Sequence, residues 1–220
     1  MKSTLKKQLA HVLWIGGATD SGKSSVARTL AQRHGFPVYH YDKDDAKQIQ
    51  NLADVIPQVR QFLNASLEER WVHPTPGILF DHLLIVFPHR FHLVVENLLN
   101  LPRDKPLIVE GFGLLPELLH PVLSSCYQAL WFVSTEKFKW ESMIKRGKPS
   151  FASSLSDPEK ARMNIFTRDM MLADYYRKQA ALYEYTLYEI DGSKTIEEVT
   201  DLAETHFAEY LTALALRTHL

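Results

Sequence analysis

The sequence lacks an excess of charge of either sign, has almost no cysteine and contains no long apolar run. Cys126 is the only cysteine in 220 residues, so no intrachain disulfide can form and a reducing, cytoplasmic compartment is the expectation. The 25 Lys and Arg residues are balanced by 26 Asp and Glu, for a net charge of −1. With both signs interspersed, no broad basic face is expected, and nucleic acid is not an expected partner. Nowhere do the roughly 18 consecutive apolar residues of a membrane-crossing helix occur, so no membrane span or membrane partner is expected. Lys2, Lys6 and Lys7 precede Val12-Leu13-Trp14-Ile15, but that stretch is too short for a secretion signal and reads as a first strand. Internal repeats and low-complexity tracts are absent too. What remains is an ordinary globular composition, 45% hydrophobic and 23% charged, which fits one domain over residues 1–220.

Against this plain background one segment stands out. Gly17-Ala18-Thr19-Asp20-Ser21-Gly22-Lys23-Ser24 matches GxxxxGK[ST], the pattern of a phosphate-binding loop. Its glycines let the backbone bend so that successive N–H groups point inward at a polyphosphate, and the helix that follows adds its positive end. The context agrees. His11-Val12-Leu13-Trp14-Ile15 suits a buried parallel strand. After the loop, Val26, Ala27, Leu30 and Ala31 recur at helical spacing before Gly35 and Pro37, a stop signal. The residues expected to hold the nucleotide are Gly17, Ala18, Thr19, Asp20, Ser21, Gly22, Lys23, Ser24 and Ser25, with Lys23 on the β- and γ-phosphates and Ser24 on Mg²⁺.

Four further β-like runs follow, at 38–41, 107–109, 129–133 and 186–190, with helical stretches between them. This alternation predicts an α/β fold with a parallel sheet covered on both faces. About sixty residues separate the second and third runs, where a simple crossover needs only about 10–12. The segment 43–105 therefore reads as a helical insertion that binds the second substrate. Helices are predicted at 44–55, 58–69, 77–87 and 90–99, punctuated by Pro57, Pro74, Pro76, Pro88 and Pro102. A second irregular stretch, 148–156, has four serines and Pro149 and suggests a lid over 147–168. Ser156, three residues before Glu159, reads as the start of a helix running to about Tyr183. Arg162 and Arg168 would lie on its first turns.

Phosphoryl transfer requires positive charge around the γ-phosphate, a metal, and an acceptor oxygen held in line. Lys23, Arg146 and Arg168, or Arg162, are the candidate cations; Arg146 would also touch the nucleotide. Glu110 ends an apolar run, where a carboxylate is costly unless paired or metal-linked, and is the second metal candidate beside Ser24. Gly111 and Gly113 after it would admit a ligand. Asp42, at the carboxyl end of the second run, is placed to orient or deprotonate an acceptor hydroxyl or to hold a Mg²⁺ water. The catalytic candidates are thus Lys23, Asp42, Arg146 and Arg168. On the acceptor side stand Asp42, Asp44, Arg90 and Glu110, with Trp71 and Phe91 as pocket walls. Asp45 reads as a helix cap. His89 and His92, three apart, have no third ligand and read as ordinary histidines.

The loop, Asp42-x-Asp44, the Leu107-Ile108-Val109-Glu110-Gly111 strand end and Arg146 before a lid together resemble the P-loop small-molecule kinases, the group of nucleoside monophosphate kinases, shikimate and gluconate kinases and chloramphenicol phosphotransferase. The resemblance implies a three-layer P-loop NTPase fold with five parallel strands in the order 2-3-1-4-5. It implies ATP as donor with Mg²⁺, and a loop at Asp191-Gly192-Ser193-Lys194 bordering the adenine. It further implies a small-molecule or nucleotide acceptor and a monomer or homodimer. A GTPase is disfavoured, because Ser134-Thr135-Glu136-Lys137 stands where a guanine signature would follow the fourth strand. The alternative to a kinase is a regulatory nucleotide-binding module.

Overall fold

The computed structural model describes residues 2–43 and 45–218, with the side chains of 4–43 and 47–212. A short helix α1 (Lys2–Gln8) leads into β1 (Val12–Gly17), then α2 (Lys23–His34) and β2 (Val38–His40). Four helices follow: α3 (Asp45–Ala53), α4 (Pro57–Asn64), α5 (Leu67–Trp71) and α6 (Pro76–Leu99). The chain then re-enters the sheet as β3 (Leu107–Glu110), followed by α7 (Pro116–Leu119), β4 (Ala129–Ser134), α8 (Glu136–Lys145), α9 (Pro158–Leu182), β5 (Leu187–Ile190) and α10 (Ile196–Thr218). The strands form one sheet in the order β2-β3-β1-β4-β5, and every pairing is parallel.

The period-2 alternation of the strands sorts their side chains into two cores. Val12, Trp14, Val109, Trp131 and Val133 face α6, α7 and α9 on one side. Leu13, Ile15, Ile108, Leu130 and Phe132 face α2 and α10 on the other. Both faces are covered, which is why β1, β3 and β4 are buried along their full length and read as continuous apolar runs.

The insertion departs from its predicted boundaries in two places. The helix expected over 58–69 is two helices, because Ser66 starts a new one. Its hydroxyl accepts the Glu69 N–H while Glu69 accepts the Ser66 N–H, a reciprocal cap that outweighs helical continuity. Conversely, the expected break at Pro88 is absent, and α6 runs through it for 24 residues. Buried Val86, Phe87, Arg90, Phe91, Val94 and Leu98 hold the two halves on one face, so packing overrides the missing backbone hydrogen bond. By length and composition α6 could cross a membrane, which the absence of an uninterrupted apolar run had not suggested. It is the helix on which α3, α4 and α9 pack.

The helix start predicted at Ser156 is corrected by one residue. Asp157 caps α9, accepting the Lys160 N–H at 2.9 Å, and Ser156 instead donates its N–H and hydroxyl to Glu68 at 2.6 and 2.9 Å. The segment 148–156 is thereby latched to α5, where Ala152 and Leu155 pack with Val72 and Ala161. Asn164 reinforces the latch, donating to the carbonyls of Trp71, Val72 and Pro74.

Candidate active site

The loop between β1 and α2 is shaped by contacts that admit no larger residue. Gly17 has φ +126°, and a Cβ there would stand 1.9 Å from the Phe132 carbonyl oxygen. Gly22, at φ 82°, precedes α2 without any side-chain cap, leaving the first N–H groups of that helix to an anion. Lys23 is buried, and its ammonium donates to the Ala18 carbonyl at 3.3 Å. Burial lowers its pKa, opposed by the nearby charges of Asp42, Glu110 and Asp20. Lys23 thus stands charged among carboxylates at the mouth of the loop, where a polyphosphate would meet its ammonium.

Ser24 and Glu110 meet. The Ser24 hydroxyl donates to Glu110 Oε2 at 2.8 Å, and Glu110 Oε1 lies 2.7 Å from His40 Nδ1. Both oxygens are hard donors, and Mg²⁺ needs only one or two protein ligands when phosphates and waters complete the octahedron. The pair therefore fits that ion, and among the described residues no cluster of three or more His, Cys, Asp or Glu offers a competing site. His40, which ends β2 beside Glu110, was not anticipated. Its signal lay in the register, because β2 pairs with β3 so that His40 aligns with Glu110.

Sequence reasoning also missed Lys139 and Asp169, which organise the loop's outer side. Lys139 Nζ donates to Thr19 Oγ1, Asp20 Oδ2 and Asp169 Oδ2 at 2.6, 2.8 and 2.6 Å. Thr19 donates to Asp169 at 2.6 Å. Lys139 and Asp20 are each only 3% exposed, so this is a buried charge cluster rather than a solvated pair. Arg146 and Lys148, about half exposed, reach the other Asp20 oxygen at 2.8 and 3.1 Å. Asp20 thus lies in the loop as expected, but its carboxylate is the anchor for three cations. Arg168 lies on α9, as the helix predicted from Ser156 placed it. It donates twice to Asp169 Oδ1 and covers the Trp71 ring at 5.8 Å. Arg162 is half-buried earlier on α9 and outside this cluster. Burial tends to raise the Asp169 pKa, but Arg168 and Lys139 prevail and hold it down at about 2.

Asp42 follows β2 in an exposed turn, within electrostatic reach of Lys23. Arg90 braces that turn from beneath, donating to the Tyr41 carbonyl at 2.8 Å and to Gln48 at 3.2 Å, with its guanidinium 4.0 Å from the Tyr41 ring centre. Gly111 and Gly113 do not make room for a ligand as expected. They make room for Tyr41, since a Cβ at either position would stand 2.2 Å from its side chain. Asp44 and the Asp45 side chain lie outside the described residues.

Beside the loop lies a cavity of about 280 Å³ whose walls include Thr19, Phe62, Trp71, His82, Phe87, Arg90, Phe112 and Arg168. Trp71 is placed as predicted. Phe91 is not, because it is buried in the sheet core 6.1 Å from the Trp14 ring. The Asp191–Lys194 segment is an exposed turn in which Asp191 accepts from Ser193, and Gly192 lies against Phe138.

A GxxxxGK[ST] loop joining β1 to α2 in a parallel 2-3-1-4-5 sheet defines the P-loop nucleotide-binding fold. No family model matches this sequence, and no curated protein matches it. Among solved structures, the chain is similar to a gluconokinase from Sinorhizobium meliloti 1021 at 15% identity, covering 94% of this chain and 97% of that one, with a TM-score of 0.44. It is similar to a deoxyadenosine kinase from M. mycoides at 12% identity over 90% and 99% of the two chains, TM-score 0.47. A shikimate kinase from Aquifex aeolicus matches at 16% identity over 94% and 98%, TM-score 0.37. All three are small-molecule kinases by name, but likenesses this distant carry no weight for chemistry, which has to come from the site itself.

Proposed function

We propose that this protein is an ATP- and Mg²⁺-dependent phosphotransferase that moves the γ-phosphate to a hydroxyl or phosphate of a small metabolite or nucleotide. One observation supports this over a regulatory nucleotide-binding module: a cavity of about 280 Å³ adjoins Thr19 of the phosphate loop and is walled largely by the insertion. Lys23 and the loop N–H groups would grip the β- and γ-phosphates, and Arg146 would add charge at the lid side. Ser24 and Glu110 would hold Mg²⁺, which supplies charge neutralisation across the phosphate oxygens. Asp42 would orient the acceptor hydroxyl and take its proton as the new O–P bond forms and the bond to the β,γ-bridging oxygen breaks, releasing ADP. The latched lid would exclude water, limiting wasteful hydrolysis. The protein is proposed to act in the cytoplasm, as a monomer or homodimer.

The test is incubation with ATP, Mg²⁺ and a metabolite extract, followed by a mass-spectrometric search for a gain of about 80 Da. A gain that disappears with Lys23→Ala is the expected result. ATP binding with no gain across a broad extract would favour the regulatory module instead.

A further inference from the structure

Building on the phosphotransferase assignment above, we infer that the acceptor is a flat ring compound that presents a hydroxyl to the phosphate loop, rather than an open-chain sugar acid. The cavity wall is aromatic and continuous. Phe62 stacks on His82 with centroids 4.4 Å apart and meets Trp71 edge-on at 5.5 Å; Trp71 in turn meets Phe151 at 5.3 Å. Leu79, Leu83 and Val86, on the same helix as His82, add apolar lining. Such walls take up a ring by stacking and apolar burial.

The polar complement of the cavity is equally selective. Among the described lining residues there is no carboxylate and no amide side chain. The Thr19 hydroxyl is engaged between Lys139 and Asp169. Arg168 gives its Nε and Nη2 to Asp169, and Arg90 gives its Nε and Nη2 to Gln48 and the Tyr41 carbonyl. Burial, with a contribution from Arg168, lowers the His82 pKa, which favours the neutral ring in the stack. A ringless polyol gains nothing by stacking on this wall and meets no carboxylate or amide side chain to accept from its hydroxyls, so a ring compound is favoured over it. The volume, about 280 Å³, sits at the small end of the roughly 300–1,000 Å³ typical of ligand sites, which suits one ring or a fused pair.

The same ring chemistry could come from a nucleoside or from a simple hydroxymethyl arene, and separate arms of the experiment distinguish them. Uridine, adenosine, benzyl alcohol, 3-hydroxymethylpyridine and D-gluconate are each presented with ATP and Mg²⁺, and products are read by mass. Nucleotide binding is measured in parallel by calorimetry. The expected result is phosphorylation of ring compounds and not of gluconate. With the best ring acceptor, Trp71→Phe should keep KM near wild type, whereas Trp71→Leu, which stays apolar but has no π-face, should raise KM about tenfold with a smaller change in kcat. Phosphorylation of gluconate while ring compounds neither bind nor react would overturn the inference, as would an unchanged KM in Trp71→Leu. Failure of the underlying assignment looks different: ring compounds still quench Trp71 fluorescence, but none is phosphorylated although ATP binds. That pattern supports the ring site and removes the phosphotransferase activity.

Discussion

Replacing Asp169 with Asn tests the charge cluster that braces the outer side of the phosphate loop. Asp169 is buried, accepts from Thr19 and Lys139, and is chelated by Arg168. Its carboxyl is held at about 2 against an ordinary value of 3.8. At about 1.4 kcal/mol per pH unit this amounts to about 2 kcal/mol of stability. The folded value lies below the unfolded one, so the contribution is fully present above about pH 4. It is lost as pH falls through the folded value, with roughly half gone by pH 3. Asp169→Asn should therefore lower stability by at least about 2 kcal/mol at pH 7, and by more if Lys139 is left poorly compensated. Urea denaturation of both proteins at pH 7, 5, 4 and 3 reads the difference directly. The gap should stay constant from pH 7 to 5 and shrink by about 1 kcal/mol at pH 3. A gap independent of pH down to 3, or no gap at pH 7, would refute the reasoning.

Three further outcomes follow from the same geometry. Gly17→Ala should destabilise by about 3 kcal/mol or more, because the new Cβ meets the Phe132 carbonyl at 1.9 Å and φ is +126°; near wild-type thermal stability would contradict this. Glu110→Gln should raise the Mg²⁺ concentration needed for ATP binding about tenfold, while leaving the weaker binding without metal nearly unchanged, as measured by calorimetric titration across Mg²⁺ concentrations. Asp20→Asn should tighten ATP binding several-fold by removing a buried carboxylate from beside the phosphates and releasing Arg146 and Lys148; weaker binding would show that the carboxylate helps rather than competes.

The sheet and the loop were readable from sequence because their signals are local. An apolar run, a glycine pattern and a helical repeat sit next to one another between residues 11 and 37, and nothing distant is needed to interpret them. Ser24 and Glu110 could also be paired in advance, since Ser24 begins the helix after β1 and Glu110 ends β3, the strand beside it. Lys139 and Asp169 could not be assigned so directly, because their importance comes from three separate elements meeting at one point. Periodicity did carry a trace of it. Asp169 shares its spacing with Asn164, Ile165, Leu172 and Tyr176 on the buried face of α9, and Lys139 shares a face with Met143 on α8. A charged residue on an apolar stripe is a stronger signal than an exposed arginine beside it. The glycines after Glu110 misled for the opposite reason: a need for space is visible in sequence, but the occupant of that space, the Tyr41 ring, is not. Pro88 and Ser66 show tertiary packing and capping overruling local expectations in opposite directions.

The central claim is that the loop from Gly17 to Ser24 grips a nucleoside triphosphate through Lys23. Isothermal titration of the folded protein with ATP in excess Mg²⁺ tests it most directly. Saturable one-to-one binding that is lost in a folded Lys23→Ala variant is the predicted result. Absence of any binding heat with the wild-type protein at several temperatures, or unchanged affinity in the variant, would contradict it.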